Sequence, residues 1–302
     1  MYDINTLDQL AGELATSEFE LLRFVYRSGE FYSRFKRRKS NGDLRVIHAP
    51  TEPLKNLQRK IIRRFLASIP LPESCTGFRP GKSILSNTLP HCGRRFVFNI
   101  DIEDFFASIT SERVLGLFLR LGFAFPVACV LTELTTFMGS LPQGAPSSPY
   151  LANLISHSLD MEMVEYCSTK GWNYTRYCDD ITISGDTMFT LGDMKMVTEI
   201  LDSEGFALNN AKTRFLRRNS AQIVSGLVVN RRPNLPREKR RVIRAMFHQA
   251  SVSPDKFKGR IQELENHLSM LTMLNPQTEE VLKYRAVLNT VCALRKKTLA
   301  TV

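Results

Sequence analysis

Two short apolar runs that end in carboxylates constrain this chain more than any other feature. One is Arg94-Arg95-Phe96-Val97-Phe98-Asn99-Ile100-Asp101. The other surrounds Tyr177-Cys178-Asp179-Asp180, with Thr175-Arg176 before it and Ile181-Thr182-Ile183-Ser184 after it. Apolar runs of this length predict buried strands, and 173–184 reads as two strands meeting in a tight hairpin at Cys178-Asp179-Asp180. Adjacent carboxylates at a hairpin tip repel one another unless a cation sits between them. Asp is a common turn residue, so the pair alone says little. If the strand ending at Asp101 lies alongside, three carboxylates converge at one end of a sheet. That is a ligand set for two Mg²⁺ ions roughly 3.5–4 Å apart, the arrangement that activates a hydroxyl and stabilises a leaving pyrophosphate.

The rest of the chain supplies a body for that sheet end. The first 27 residues predict one or two short amphipathic helices, carried by Leu7, Leu10 and Leu14 and then by Phe19, Leu22, Val25 and Tyr26. A hairpin with a basic tip is expected over 31–48, around Ser40-Asn41-Gly42-Asp43. Pro53 opens a helix to about 68 with Leu54, Leu57, Ile61, Phe65 and Leu66 on one face. Helices follow near 111–121, 126–138, 148–168 and 190–204, then an apolar strand over 223–230. Before the third of these stands Leu141-Pro142-Gln143-Gly144-Ala145-Pro146-Ser147-Ser148-Pro149. It is either a rigid turn whose backbone can approach a ligand or simply a Ser-capped helix start. From Arg237 onward the pattern is helical, near 237–250, 255–273 and 277–298. The expected class is α+β followed by a basic helical tail.

Charge is segregated along the chain. Residues 1–22 carry five acids and no bases, 23–95 hold 17 bases against 4 acids, 96–204 hold 5 against 15, and 205–302 hold 19 against 6. An acidic centre between basic flanks fits a polyanion gripped from both sides while the middle holds cations, although solvated charged faces give the same count. Six cysteines (75, 92, 129, 167, 178 and 292) form no C-x-x-C pair, so free thiols in a reducing compartment are expected rather than disulfides or structural zinc. With no signal-peptide pattern and no apolar run of membrane-spanning length, the expectation is a soluble cytoplasmic protein with no membrane partner.

The segments FNIDIEDFF, LPQGAPSSP, YCDD, LNNAKT and VSGLVVN stand in the order and approximate spacing of the palm motifs of reverse transcriptases, and the resemblance covers about residues 30–230. Within that class the chain resembles the bacterial retron enzymes. Asn87-Thr88-Leu89-Pro90-His91 is similar to their Asn-Ala-x-x-His signature, with Thr for Ala. Val224-Ser225-Gly226 is similar to their Val-Thr-Gly, with Ser for Thr, and YCDD departs from the commoner YADD. The resemblance implies a right-hand polymerase with fingers, a palm built on an antiparallel sheet, and a helical thumb. The boundaries it implies are an N-terminal helical segment 1–27, fingers 28–95, palm 96–232 and thumb 233–302.

It also implies roles, position by position. Asp101 and Asp179 would be the principal metal ligands, Asp180 the third carboxylate, and Ile102 a backbone-carbonyl ligand to the second of two Mg²⁺ ions. Phe106, five positions after Asp101, would gate against a 2′-hydroxyl; it could instead be core, since Phe105 and Phe106 cannot both face one way. Gln143 and Gly144 would line the dNTP pocket. Lys39 and Arg45 would hold the triphosphate, with Lys36, Arg37 or Arg38 able to replace Lys39. Lys212 would protonate the departing pyrophosphate, or lie as a surface lysine after a turn. Val224–Val229 would grip the primer. His91 reads as a structural histidine and Trp172 as core. On a helix Arg237, Arg241 and Arg244 share one face and would bind RNA, with Val242, Ala245 and Met246 turned inward. The expected partners are a cognate structured noncoding RNA, its DNA product, dNTPs and a separate effector protein in anti-phage defence. No space for a ribonuclease H domain is expected after the thumb. The rival readings are another bacterial reverse transcriptase, of group II intron or abortive-infection type, and a non-catalytic RNA-binding relative.

Overall fold

The computed structural model describes residues 3–38, 42 and 44–300, the side chains from 297 onward excepted. Thr6 and Ser17 each accept a hydrogen bond from a first-turn amide and so start α1 (Leu7–Glu13) and α2 (Glu18–Tyr26). The inner face of α2 differs from the sequence expectation. Leu21 is buried, with Phe24 and Val25 packed behind it, whereas Phe19 and Tyr26 are 76% and 81% exposed. Leu21, Phe24 and Val25 make an i, i+3, i+4 face as regular as the expected one, so spacing alone did not choose between them.

The basic hairpin forms from β1 (Tyr32–Arg38) and β2 (Leu44–Pro50), antiparallel, with Arg37 opposite Arg45. α3 (Glu52–Ile61) runs into a wider turn over Ile62–Leu66, and the expected stripe of Leu54, Leu57, Ile61, Phe65 and Leu66 is buried. After the short α4 (Ile84–Thr88) comes β3 (Phe96–Asp101). Then follow α5 (Phe105–Ser108), α6 (Ser111–Arg120), α7 (Phe125–Thr135), α8 (Ser148–Ile155) and α9 (His157–Thr169). The single helix expected over 148–168 is interrupted at Ser156, where the backbone leaves the helical region at ψ 9°.

β4 (Asn173–Tyr177) and β5 (Asp180–Gly185) form the expected hairpin, followed by α10 (Leu191–Ser203) and β6 (Arg214–Arg217). The central sheet is antiparallel throughout, in the order β4-β5-β3-β6. β6, only Arg-Phe-Leu-Arg and flanked by charge, carried too little apolar pattern to be foreseen as a strand. In place of the single strand expected over 223–230 stand β7 (Ile223–Val224) and β8 (Leu227–Val228), a small hairpin. Its turn residues Ser225 and Gly226 both have positive φ, 45° and 80°, the signature of a two-residue turn whose twist suits antiparallel strands.

The tail holds α11 (Arg237–Val252), α12 (Ile261–Leu274) and α13 (Glu279–Ala300). Its apolar residues form their own cluster with Leu227 and Leu235, separate from the main core, which joins the N-terminal helices, α3, the helices over 105–169 and the inner face of the sheet.

Candidate active site

Strand register brings the acids together. Asp101, at the end of β3, pairs directly with Asp180, at the start of β5, and Asp179 occupies the turn just before. Pairing continues one step further, because the Ile102 amide donates to the Asp179 carbonyl at 3.0 Å. Tyr177 pairs with Asp180, so Cys178 and Asp179 are the two central turn residues. Cys178 carries φ +63°, a left-handed conformation at a position that favours glycine.

Buried polar contacts hold that strained tip. Arg176 is fully buried; its guanidinium donates to both carboxylate oxygens of buried Asp160, each at 2.7 Å, and to the Cys178 carbonyl at 3.0 Å. Asn153 accepts from it at 3.2 Å, and the Tyr174 hydroxyl donates to Asp160 at 2.7 Å. A bidentate, fully hydrogen-bonded pair is the geometry in which burying two charges is tolerable. Gly77 packs from the other side, so closely that a Cβ there would sit 2.5 Å from the Cys178 nitrogen. None of this support was read from the sequence; a lone Arg inside an apolar strand run was the signal available.

Lys212 reaches the same spot. Its ammonium donates to both oxygens of Asp101, at 2.8 and 2.9 Å, which raises its pKa. The turn that presents it is tied to the end of β3: the Asn209 amide donates to the Asp101 carbonyl at 2.8 Å and the Glu103 amide to the Ala207 carbonyl at 2.8 Å. Neither bond uses the Ile102 carbonyl. Burial, and then the charges of Asp179 and Asp101, push the Asp180 carboxyl up to about 6, with Lys212 pulling the other way. Asp180 keeps an exposed side, so water and ions reach it.

The donor chemistry fits a divalent cation. Three carboxylates share one sheet end, Asp180 is pushed toward protonation by burial and then by the other two, and a cationic ammonium already neutralises Asp101. Among the described residues no three His, Cys, Asp or Glu side chains stand as a finished metal cage.

Two clefts flank the acids. One, of about 460 Å³, is lined by Asn99, Asp101, Asp180, Lys212, Arg214 and the Ser225-Gly226 turn. Asn99 secures that turn's hairpin by donating to the Ile223 carbonyl at 2.7 Å. The other, of about 290 Å³, lies under the basic hairpin and is lined by Arg37, Arg38, Arg45, Ile47, Phe106 and Gln143. Asp104, at φ +43°, starts α5 so that Phe105 is buried while Phe106 is half-buried at the cleft wall. Gly144 is constrained by the hairpin rather than by the cleft: a Cβ there would lie 2.8 Å from Ala49 and from the His48 carbonyl. Lys39 lies outside the described residues.

The remaining expected positions separate. His91 is fully buried between the Ser184 hydroxyl at 2.7 Å and the Thr175 hydroxyl at 2.8 Å, and burial pushes its pKa down to about 3, so it is a neutral structural residue. Asn87, also fully buried, donates to the Ser225 hydroxyl at 2.9 Å and accepts from the Thr76 hydroxyl at 2.7 Å. It thereby links the cleft-lining turn to the segment beneath Cys178. Arg237, Arg241 and Arg244 are exposed along α11, remote in sequence from the acids; Arg241 pairs with Glu238 at 3.0 Å. The face that α11 buries is Ile243, Met246, Phe247 and Ala250, not Val242 and Ala245, and Val242 is 60% exposed. That face repeats at i, i+3, i+4 and i+7, the register that meets α13. Between α11 and α13 lies a groove of about 700 Å³ bordered by Arg241, Arg244, His248 and Lys283. No helix among the described residues is long and apolar enough to cross a membrane.

Residues 37–256 match the family model described as reverse transcriptase (RNA-dependent DNA polymerase). The chain is 38% identical over 273 residues to the Retron Mx65 reverse transcriptase of Myxococcus xanthus, an alignment covering 84% of this chain and 64% of that protein, so it spans less than two thirds of that relative. It is 34% identical over 283 residues to the Retron Ec86 reverse transcriptase of Escherichia coli, covering 92% of this chain and 86% of that one. A solved telomerase from Candida albicans, in complex with a fragment of telomeric RNA, superposes with a TM-score of 0.49 at 9% identity over 86% of this chain and 63% of that one, a likeness too slight to carry an argument.

Proposed function

This chain belongs to the reverse transcriptase family, among its retron members, and from that premise we propose that it copies a structured noncoding RNA into DNA from dNTPs. The observation that carries the proposal is the Asp101–Asp180 register with Asp179 at the turn and Lys212 on Asp101. A surface used only to bind RNA has no need of three acids, since they repel phosphates.

The family works with divalent metal ions, and Mg²⁺ is the ion proposed here. Asp101, Asp179 and Asp180, with the Ile102 carbonyl, would hold two of them. When bound, such ions lower the pKa of the primer hydroxyl and offset the charge that develops on the leaving pyrophosphate. The protein's own groups do the rest. Lys212, its pKa raised, stays protonated at neutral pH and can hand a proton to the pyrophosphate oxygen. Phe106 takes the volume a 2′-hydroxyl would need. Arg45, with Arg37 and Arg38 on the facing strand, offers planar cations to the triphosphate, and Gln143 closes the same cleft. The Ser225-Gly226 turn, held by Asn87 and Asn99, supports the primer end. In this reading 28–95 are the fingers, 96–232 the palm and 233–302 a thumb whose Arg237, Arg241 and Arg244 grip RNA.

The product would be single-stranded DNA joined to its RNA, made in the cytoplasm and used with an effector protein against phage. The direct test is extension of a DNA primer annealed to homopolymer RNA, with the nucleic acid that copurifies with the protein sequenced alongside. Extension together with one enriched RNA species carrying attached DNA is expected. Extension with no enriched RNA would leave a polymerase of another bacterial type, and no extension would leave an RNA-binding relative.

A further inference from the structure

A second concentration of arginine and aromatic side chains lies at the far end of the central sheet and faces away from the acids. Side chains alternate along β3: Asn99 and Asp101 line the first cleft and Val97, on the same face, packs under the β7–β8 hairpin, while Phe96, Phe98 and Ile100 face the other way. β6, the edge strand, follows the same rule, so Arg214 lines the cleft whereas Phe215 and Arg217 share the rear face with Phe96. Phe96 and Phe215 stack with ring centroids 5.6 Å apart and 18° between planes. Arg95 lies 5.6 Å from the Phe96 ring and Arg217 5.8 Å from the Phe215 ring. A hollow of about 320 Å³ is lined by Arg95, Phe96, Arg217 and Arg218.

The backbone there is fixed. The Arg218 amide donates to the Arg95 carbonyl at 3.0 Å, Gln222 donates to the same carbonyl at 3.2 Å, and Asn230 donates to the Arg218 carbonyl at 3.1 Å. Neighbouring Arg94 is paired with Asp186 at 3.0 Å. Arg95 shares the Asp186 carboxylate, which accepts from its amide at 3.1 Å, but Arg217 and Arg218 have no carboxylate partner among the described residues. Two such cations beside a partly exposed aromatic pair suit phosphates on a strand whose unpaired bases can lie on a ring face. A duplex buries its bases and gains nothing from the rings. Phe96 and Asp101 are five residues apart on β3, about 17 Å at the rise of a strand. On that reading, a template–primer duplex seated on the acids would occupy the opposite face of the sheet. What can reach the rear is the part of the RNA not being copied.

We propose that Phe96 and Phe215, ringed by Arg95, Arg217 and Arg218, form a second nucleic-acid contact that holds a single-stranded stretch of the bound RNA. The proposal rests on the reading of this chain as an RNA-copying enzyme. Its test is binding of fluorescein-labelled single-stranded oligo(A) RNA by the full chain across 50–200 mM salt. Arg217→Gln/Arg218→Gln should lower the slope of log affinity against log salt by about 1.4, at roughly 0.7 per phosphate contact on a single strand. Phe215→Ala should weaken binding several-fold with the slope kept, and Phe215→Trp should restore it. An unchanged slope in the double variant would overturn the proposal and leave these arginines as charges that guard an edge strand from pairing. A larger loss on oligo(dA) DNA than on RNA would overturn it too. Primer extension by the unaltered chain is measured alongside, so that failure of the polymerase reading is told apart from failure of this surface alone.

Discussion

Phe106 and His91 are single residues whose surroundings set what they do. Phe105 turns into the core and leaves its neighbour at the wall of the cleft beside Arg45 and Gln143. Phe106→Ala should therefore let rGTP compete measurably with dGTP in single-nucleotide incorporation while the protein stays folded. Unchanged discrimination would place the ring in the core and the gate elsewhere. His91 titrates near 3 in the fold against an ordinary value of 6.5, because burial disfavours its charged form. Its folded pKa is depressed, so the unfolded chain takes the proton first and stability falls as pH drops below 6.5. Between pH 6.5 and 4.5 this one residue should cost about 2–3 kcal/mol, at about 1.4 kcal/mol per pH unit. Urea midpoints at the two pH values should differ less in His91→Gln than in the parent; an equal difference would mean that other groups set the acid sensitivity. The structural role of His91 was legible because no second His or Cys stands at ligand spacing. Its partners Thr175 and Ser184 were not, because both are reached through strand register across the sheet.

The strand pair and hairpin were legible because each is apolar, short and closed by carboxylates or a turn. What supports them was not. Arg176, Asp160 and Asn153 meet only after two helices fold back on β4, and Gly77 is needed only because another segment crowds the Cys178 amide. Asp160→Ala should thus cost about 3–5 kcal/mol, since it leaves a buried guanidinium unpaired. A urea-denaturation change below 1 kcal/mol would show that water or Asn153 can replace the carboxylate. The hairpin over β7 and β8 was hidden for a different reason. Ile223 to Asn230 reads as one apolar run unless Ser225-Gly226 is recognised as a two-residue turn. Asn87, on α4, holds the hydroxyl of Ser225 in that turn, so Asn87→Ala should raise the KM for primer–template more than it lowers kcat. Equal effects on both would point to general loosening rather than to placement of the primer.

At the scale of the molecule, the segregated charge maps onto the architecture. The acidic middle of the chain carries the sheet end with its three carboxylates, and the basic flanks carry the hairpin of β1 and β2 and the helix α11. Replacing Arg237, Arg241 and Arg244 together by Gln should lower the salt slope of RNA binding by about 2–3 units, at about 0.7–0.9 per phosphate contact. An unchanged slope would return these side chains to the solvent. If the acids at the sheet end are the catalytic centre of an RNA-copying polymerase, Asp179→Asn should all but abolish synthesis with almost no change of shape. In single-turnover extension of a primer on homopolymer RNA with Mg²⁺, the variant should be slower by about a thousandfold or more, a loss of several kcal/mol of transition-state stabilisation, while still binding RNA through the basic flanks. Extension by Asp179→Asn at near the parent rate would mean that these acids are not the catalytic centre.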